Sequence, residues 1–71
     1  MENSLKVYRA REDLTQGELA ERVDVSRQTV NSIETGRYDP SLELAFKLAH
    51  EFGCNVEDIF EFDPDGDATE D

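Results

Sequence analysis

Apolar positions recur at helical spacing in five short blocks, each preceded by a residue suited to start a helix. Leu5 and Tyr8 share the inner face of a first segment running from Leu5 to Glu12. Thr15-Gln16-Gly17-Glu18 has the T-x-x-E form of a capping box, and Leu19, Ala20 and Val23 follow at helical spacing. Ser26 is suited to cap a third segment that runs to about Thr35 and is stopped by Gly36. Pro40-Ser41 opens a fourth segment ending at Gly53. Asn55 is suited to cap a last short helix through Val56, Ile59 and Phe60, with Asp58 at its third position. Five short helices with brief connections predict an all-α bundle. The run FEFD at 60–63 alternates apolar and acidic residues, a weak strand pattern, and Pro64-Asp65-Gly66-Asp67 then interrupts regular structure. The expected division is a folded domain over 1–62 and an acidic, disordered tail over 63–71.

The fourth segment is apolar over an unusual width. At about 100° per residue, Leu42, Leu44, Ala45, Phe46, Leu48, Ala49 and Phe52 cover an arc of roughly 200°, about twice what packing on one domain requires. Such a helix is expected to be covered on two sides, by its own bundle and by a second subunit. Leu44, Leu48, Phe60 and Phe62 are the residues assigned to that dimer interface, because a chain of 71 residues gains core by pairing.

The third segment carries the candidate chemistry. Val30 and Ile33 define its inner face, so Gln28, Asn31, Ser32 and Thr35 point outward, with Arg27 at the edge near the helix N-terminus. Amides, hydroxyls and a guanidinium are the groups that read base edges: Gln and Asn suit adenine, Arg suits guanine, and Ser and Thr suit either. An ordinary solvated face more often carries Glu and Lys. The short turn Asp24-Val25 joins the second segment to the third, which makes a helix-turn-helix whose second helix enters the major groove of double-stranded DNA. Gln16, at the start of the second segment, is placed to hold a phosphate, and Arg37 and Tyr38 to hold another.

Charge complicates that picture. The formal net charge is −11, yet the first 53 residues contribute only −3 and the last 18 contribute −8. Between residues 26 and 38, Arg27 and Arg37 outnumber Glu34. The chain is acidic, and the candidate contact surface is not. Eighteen acidic residues with only two lysines suit a protein working in very high salt, as in a halophile. At molar salt the Debye length is about 3 Å, and a remote acidic tail is nearly invisible to DNA. The alternative is a tail that tunes or blocks binding at ordinary salt.

Other chemistries find little support. Asp63, Asp65 and Asp67 have the 1-3-5 spacing of a calcium loop, but Ala68 stands where that loop needs glycine and the twelfth-position glutamate is missing. His50 is the only histidine and has no neighbour at metal spacing. No nucleophile–base pair or phosphate-cradling loop is present, so neither an enzyme nor a metal or other cofactor is expected. Cys54 is the only cysteine, which rules out an intramolecular disulfide and fits a reducing, cytoplasmic setting with the thiol buried and inert. No apolar run approaches the length of a membrane span.

The run LTQGELAERVDVSRQTVNSIETGRYDPSLELAFKLA resembles the Cro/CI-type (XRE) helix-turn-helix family, to which lambdoid phage repressors belong. The resemblance covers about residues 5–60 and is closest to short stand-alone regulators. It implies a five-helix lambda-repressor-like domain, a terminal pairing of residues near 2–4 with 60–63, and dimerisation through the C-terminal region. It implies that Gln16 and Gln28 dock and read DNA, while Arg27, Asn31 and Ser32 vary with the operator. It also implies a partly buried ion pair between Arg9 and Glu34. Gly17 departs from the family pattern, as do Asp13 and Asp24 at turns often made by glycine. Asp39 stands beside the phosphate contacts where asparagine is common, and it repels a nearby phosphate.

Two functions follow as expectations. The first is a homodimeric, sequence-specific transcriptional regulator, a repressor acting on a near-palindromic operator, with no small-molecule ligand. The second is a protein-interaction module of the same fold, such as an antitoxin or a regulator's partner.

Overall fold

The structure, a computed structural model, describes residues 2–61; Met1, Phe62 and the segment 63–71 lie outside the described residues. Five helices run in order: α1 (Leu5–Arg11), α2 (Gln16–Arg22), α3 (Arg27–Glu34), α4 (Leu42–Phe52) and α5 (Val56–Ile59). Helices this short are unstable alone, so their ends and their packing decide whether they form.

The helix starts follow the sequence. Thr15 Oγ1 accepts from the Glu18 N–H at 3.0 Å while a Glu18 carboxylate oxygen accepts from the Thr15 N–H at 2.8 Å. These bonds, the one from the Thr15 backbone foremost, hold the Glu18 carboxyl below its ordinary range. The ionised capping box therefore supports α2 above the ordinary carboxylate range, and that support is lost as pH falls through the lowered value. Ser26 Oγ caps the Thr29 N–H at 3.1 Å, and Ser41 Oγ caps the Leu44 N–H at 3.1 Å. At α5 the Asp58 carboxylate accepts from the Asn55 N–H at 2.9 Å.

The ends of α1 to α4 share one solution. Each closes through a residue at positive φ: Asp13 (57°), Asp24 (63°), Gly36 (80°) and Gly53 (65°). At each, that residue's N–H and the next one reach back to two late helix carbonyls. The bonds are Asp13 to Ala10 and Leu14 to Arg9, Asp24 to Glu21 and Val25 to Ala20, Gly36 to Ile33 and Arg37 to Ser32, and Gly53 to His50 and Cys54 to Ala49. This is the Schellman arrangement, which satisfies carbonyls the helix leaves unpaired. Aspartate serves where glycine is usual because it tolerates the left-handed region better than most residues. The residue after each turn commonly packs back on its helix. Leu14 is buried, and Val25 and Cys54 pack against the core. The fourth such residue, Arg37, is exposed.

The core gathers Leu5, Leu14, Leu19, Val23, Val30, Ile33, Leu48 and Ile59 around α3 and α4, and no polar or charged residue among the described residues is fully buried. Tyr8 and Phe52 stack at 5.6 Å between ring centroids, tying α1 to α4, and the Arg11 guanidinium lies 5.1 Å from the Tyr8 ring centroid. Cys54 is half-buried; desolvation, and secondarily the Asp58 carboxylate, push its thiol up and keep it protonated. The two ends of the described segment meet in an antiparallel bridge between Asn3 and Phe60, supported by the Glu61 N–H on the Glu2 carbonyl at 3.0 Å. The pairing over 2–4 and 60–63 reduces, among the described residues, to that bridge, without strands.

Leu44, Leu48 and Phe60 are 7%, 0% and 6% exposed, so the structure places them in this chain's own core and not at a subunit interface. Helical periodicity measures how wide an apolar arc is but not which part its own bundle covers. The uncovered edge of α4 is Leu42, 72% exposed, and Phe46, 58% exposed. Phe62 lies outside the described residues.

One polar junction crosses the bundle. Arg9 Nε lies 2.7 Å from Glu34 Oε2 and its Nη2 lies 3.3 Å from Oε1, while Nη1 donates to the Leu14 carbonyl at 2.8 Å. The two side chains retain 17% and 5% exposure. Truncating one partner leaves the other half-desolvated. Glu34→Ala is expected to cost about 2–4 kcal/mol, and Arg9→Met combined with Glu34→Leu to recover most of it, read from urea midpoints. Gly17 lies in α2, and an added Cβ would meet Arg27 Cδ at an ordinary 3.8 Å. Gly17→Ala is therefore expected to stabilise the fold by about 0.5–1 kcal/mol, seen as a raised Tm.

Candidate nucleic-acid interface

Helices α2 and α3 pack against each other across the Asp24-Val25 turn, with Leu19, Ala20 and Val23 facing Val30 and Ile33 in the core. That packing leaves the opposite side of α3 open. Arg27, Gln28, Asn31 and Thr35 are exposed, and Ser32 is partly covered. Arg37 and Tyr38 are exposed in the loop that follows. Their backbone N–H groups both donate to the Ser32 carbonyl, at 3.0 and 3.2 Å, which fixes this loop to the end of α3. The surface thus presents two guanidinium groups, two amides, hydroxyls and a phenol. The carboxylate on α3, Glu34, is turned inward and neutralised by Arg9.

Gln16 sits differently from the sequence expectation. Its Nε2 donates to Asn31 Oδ1 at 3.1 Å and to Glu34 Oε1 at 3.0 Å. Both amide hydrogens are engaged within the domain, so in this arrangement the side chain has no hydrogen left for a phosphate. Gln16 instead joins the start of α2 to the middle of α3 and orients Asn31. With its oxygen held by Gln16, Asn31 keeps both Nδ2 hydrogens for a ligand.

Two contributors were not singled out from the sequence. Thr29 Oγ1 lies 2.9 Å from Ser26 Oγ, and Thr29 lines a shallow cleft with Ser26, Gln28, Ser32 and Tyr38. The S-x-x-T spacing at the helix start is the signal for it. Asn3 bonds the Ile33 carbonyl through Nδ2 at 2.8 Å and the Leu5 N–H through Oδ1 at 3.1 Å, bracing the far end of α3. No local pattern marks it, because its partner lies thirty residues away.

Among the described residues no group of three or more His, Cys, Asp or Glu is arranged to hold a metal ion, and no helix is long and apolar enough to cross a membrane. Asp63, Asp65 and Asp67 lie outside the described residues.

Comparison with known proteins agrees with this geometry. The helix-turn-helix family model HTH_3 matches residues 5–59. An HTH-type transcriptional regulator of Methanocaldococcus jannaschii is 57% identical over 65 residues, covering 92% of this chain and 98% of that protein. The HTH-type transcriptional regulator YgzD of Bacillus subtilis is 48% identical over 60 residues, covering 84% of this chain and 91% of its own. Among solved structures, the SOS-response transcriptional repressor LexA of Eubacterium rectale superposes with a TM-score of 0.73 at 34% identity, over 78% of this chain. This chain spans 58% of that LexA structure. The restriction-modification controller protein C.AhdI of Aeromonas hydrophila superposes with a TM-score of 0.72 at 28% identity, over 79% of this chain and 85% of its own. The chain belongs to the XRE-type helix-turn-helix family of transcriptional regulators, which are not enzymes.

Proposed function

We propose that this protein is a cytoplasmic, sequence-specific DNA-binding repressor that acts as a homodimer. The observation that carries the reading is the outer face of α3, where amides, hydroxyls and Arg27 stand free of any unpaired carboxylate. Gln28 and Asn31 read base edges in the major groove, Arg27, Ser32 and Thr35 contact bases or sugar–phosphate at its borders, and Arg37 and Tyr38 hold a phosphate. Gln16 acts through Asn31. Two copies of α3 about 34 Å apart would meet successive major grooves on a near-palindrome. Repression follows by occlusion of the promoter. The family membership and the relatives named as transcriptional regulators support the same reading.

The test is a titration against fragments of the region upstream of the protein's own gene, in KCl from about 0.1 to 3 M, with fold and binding followed together. Saturable binding to one fragment and not to random DNA is expected. Gln28→Ala and Asn31→Ala should each weaken specific binding by about 10- to 100-fold with an unchanged Tm. Arg37→Ala should weaken all DNA binding and lower the salt slope by about one. A folded protein that binds no fragment at any salt would overturn the proposal and move the weight to a protein partner. Specific binding that persists at molar KCl is the behaviour expected of a halophilic regulator, and its loss there would remove that source.

A further inference from the structure

We propose that Gln16 is a positioning residue for base selection: it holds the Asn31 amide with its donor toward the groove, and Asn31 therefore selects a keto base, guanine above thymine. The proposal rests on the DNA-binding reading above and gives one base position its identity. Its starting point is a carboxylate. Glu34 Oε2 accepts from Arg9 Nε at 2.7 Å, and Oε1 accepts from Arg9 Nη2 at 3.3 Å and from Gln16 Nε2 at 3.0 Å. A carboxylate paired to a guanidinium only accepts. The end of the Gln16 amide that faces it must therefore be the NH2 group. The second hydrogen of that group meets Asn31 at 3.1 Å, and the end of Asn31 that answers it must be the oxygen. Flipping Gln16 would set oxygen against oxygen, and flipping Asn31 would set NH2 against NH2. The charge on Glu34 thus fixes the direction of both amides.

The consequence lies on the far side of Asn31. Its side chain is exposed on the outer face of α3, and with the oxygen turned to Gln16 its two Nδ2 hydrogens remain for the groove. An unconstrained asparagine suits adenine, accepting from N6 and donating to N7 side by side. That pairing asks for the Asn31 oxygen, which Gln16 already shares. Guanine asks for donors alone, because its N7 and O6 both accept, and thymine accepts at O4. Gln28 is the contrast on the same face. Among the described residues no hydrogen bond orients its amide, so it keeps the adenine pairing.

This role has a signature that loss of affinity lacks. A glutamine that only held a phosphate, or only braced the fold, would on removal weaken all sequences alike. A glutamine that orients Asn31 changes which base is preferred at one position.

The experiment is selection of bound duplexes from a randomised DNA library by the full chain. Affinities are then measured for the selected half-site with each base at each position. Wild type, Asn31→Ala, Gln16→Met and Asn31→Asp are compared, with thermal melting to monitor fold. Asn31→Ala identifies the Asn31 position as the one whose preference it erases. There wild type should favour guanine over adenine by about 10-fold. Gln16→Met, similar in length but without an amide, should shrink that ratio to about twofold or less and leave the preferences at other positions unchanged. Asn31→Asp keeps one oxygen for Gln16 and turns the other outward. Its preference should move to a base with an amino group, cytosine or adenine, at lower overall affinity. Adenine preferred by wild type at the Asn31 position would overturn the proposal and leave the DNA-binding reading standing. So would a folded Gln16→Met that keeps the wild-type ratio, an Asn31→Asp that still prefers guanine, or an Asn31→Ala that erases no preference. A folded wild-type chain that enriches no sequence would overturn both.

Discussion

The Glu34 carboxylate is the point on which the arrangement of the first three helices turns. It sits on α3 and receives Arg9 from α1 and Gln16 from α2. The apolar core sets how close these helices lie, but apolar contact is weakly directional and leaves rotation about each axis loosely specified. The hydrogen bonds to Glu34 are directional and fix that rotation. For a helix whose outer face carries the chemistry, rotation is the critical variable: a turn of one residue about the axis, about 100°, would replace Gln28 and Asn31 by other side chains. The net energy of such a partly desolvated pair is modest, because the cost of removing charge from water offsets much of the attraction. Its contribution is orientation.

How much of this was legible in the sequence depends on how far apart the interacting residues lie. The caps at Thr15, Ser26, Ser41 and Asn55 are local, and each helix begins where its cap predicts. The left-handed turns are local too, and Asp13 and Asp24 carry them in place of glycine. The outward face of α3 follows from Val30 and Ile33 alone. What lies beyond local pattern is long-range. The width of the α4 arc was readable, but its division was not, and Leu44 and Leu48 belong to the chain's own core while Leu42 and Phe46 do not. The engagement of Gln16 with Asn31 and Glu34 depends on where α2 and α3 come to rest. The bracing by Asn3 depends on two chain segments with no shared periodicity.

The exposure of Arg37 acquires meaning from the other three turns. At Leu14, Val25 and Cys54 the residue after the left-handed position returns to the core. After Gly36 it does not, and a guanidinium followed by a phenol projects instead. The same backbone device thus serves compaction three times and display once. The display occurs at the end of the helix whose outer face carries Gln28 and Asn31. It also reconciles the acidic chain with an anionic partner. Charges more than about 8 Å apart are largely screened at physiological salt, so the local surface around Arg27 and Arg37 governs an encounter more than the distant total does.

The bridge between Asn3 and Phe60 has a consequence for how the domain comes apart. The first and last described residues are hydrogen-bonded to each other, and Asn3 is bonded to the end of α3 as well. Fraying at the first described residues releases the carbonyls of Ile33 and Ile59, and fraying at the last releases that of Glu2. Local opening, which in most small domains begins at the termini, is thereby coupled to the middle of the chain. Opening at the start of the described segment thus breaks hydrogen bonds that also hold the ends of α3 and α5.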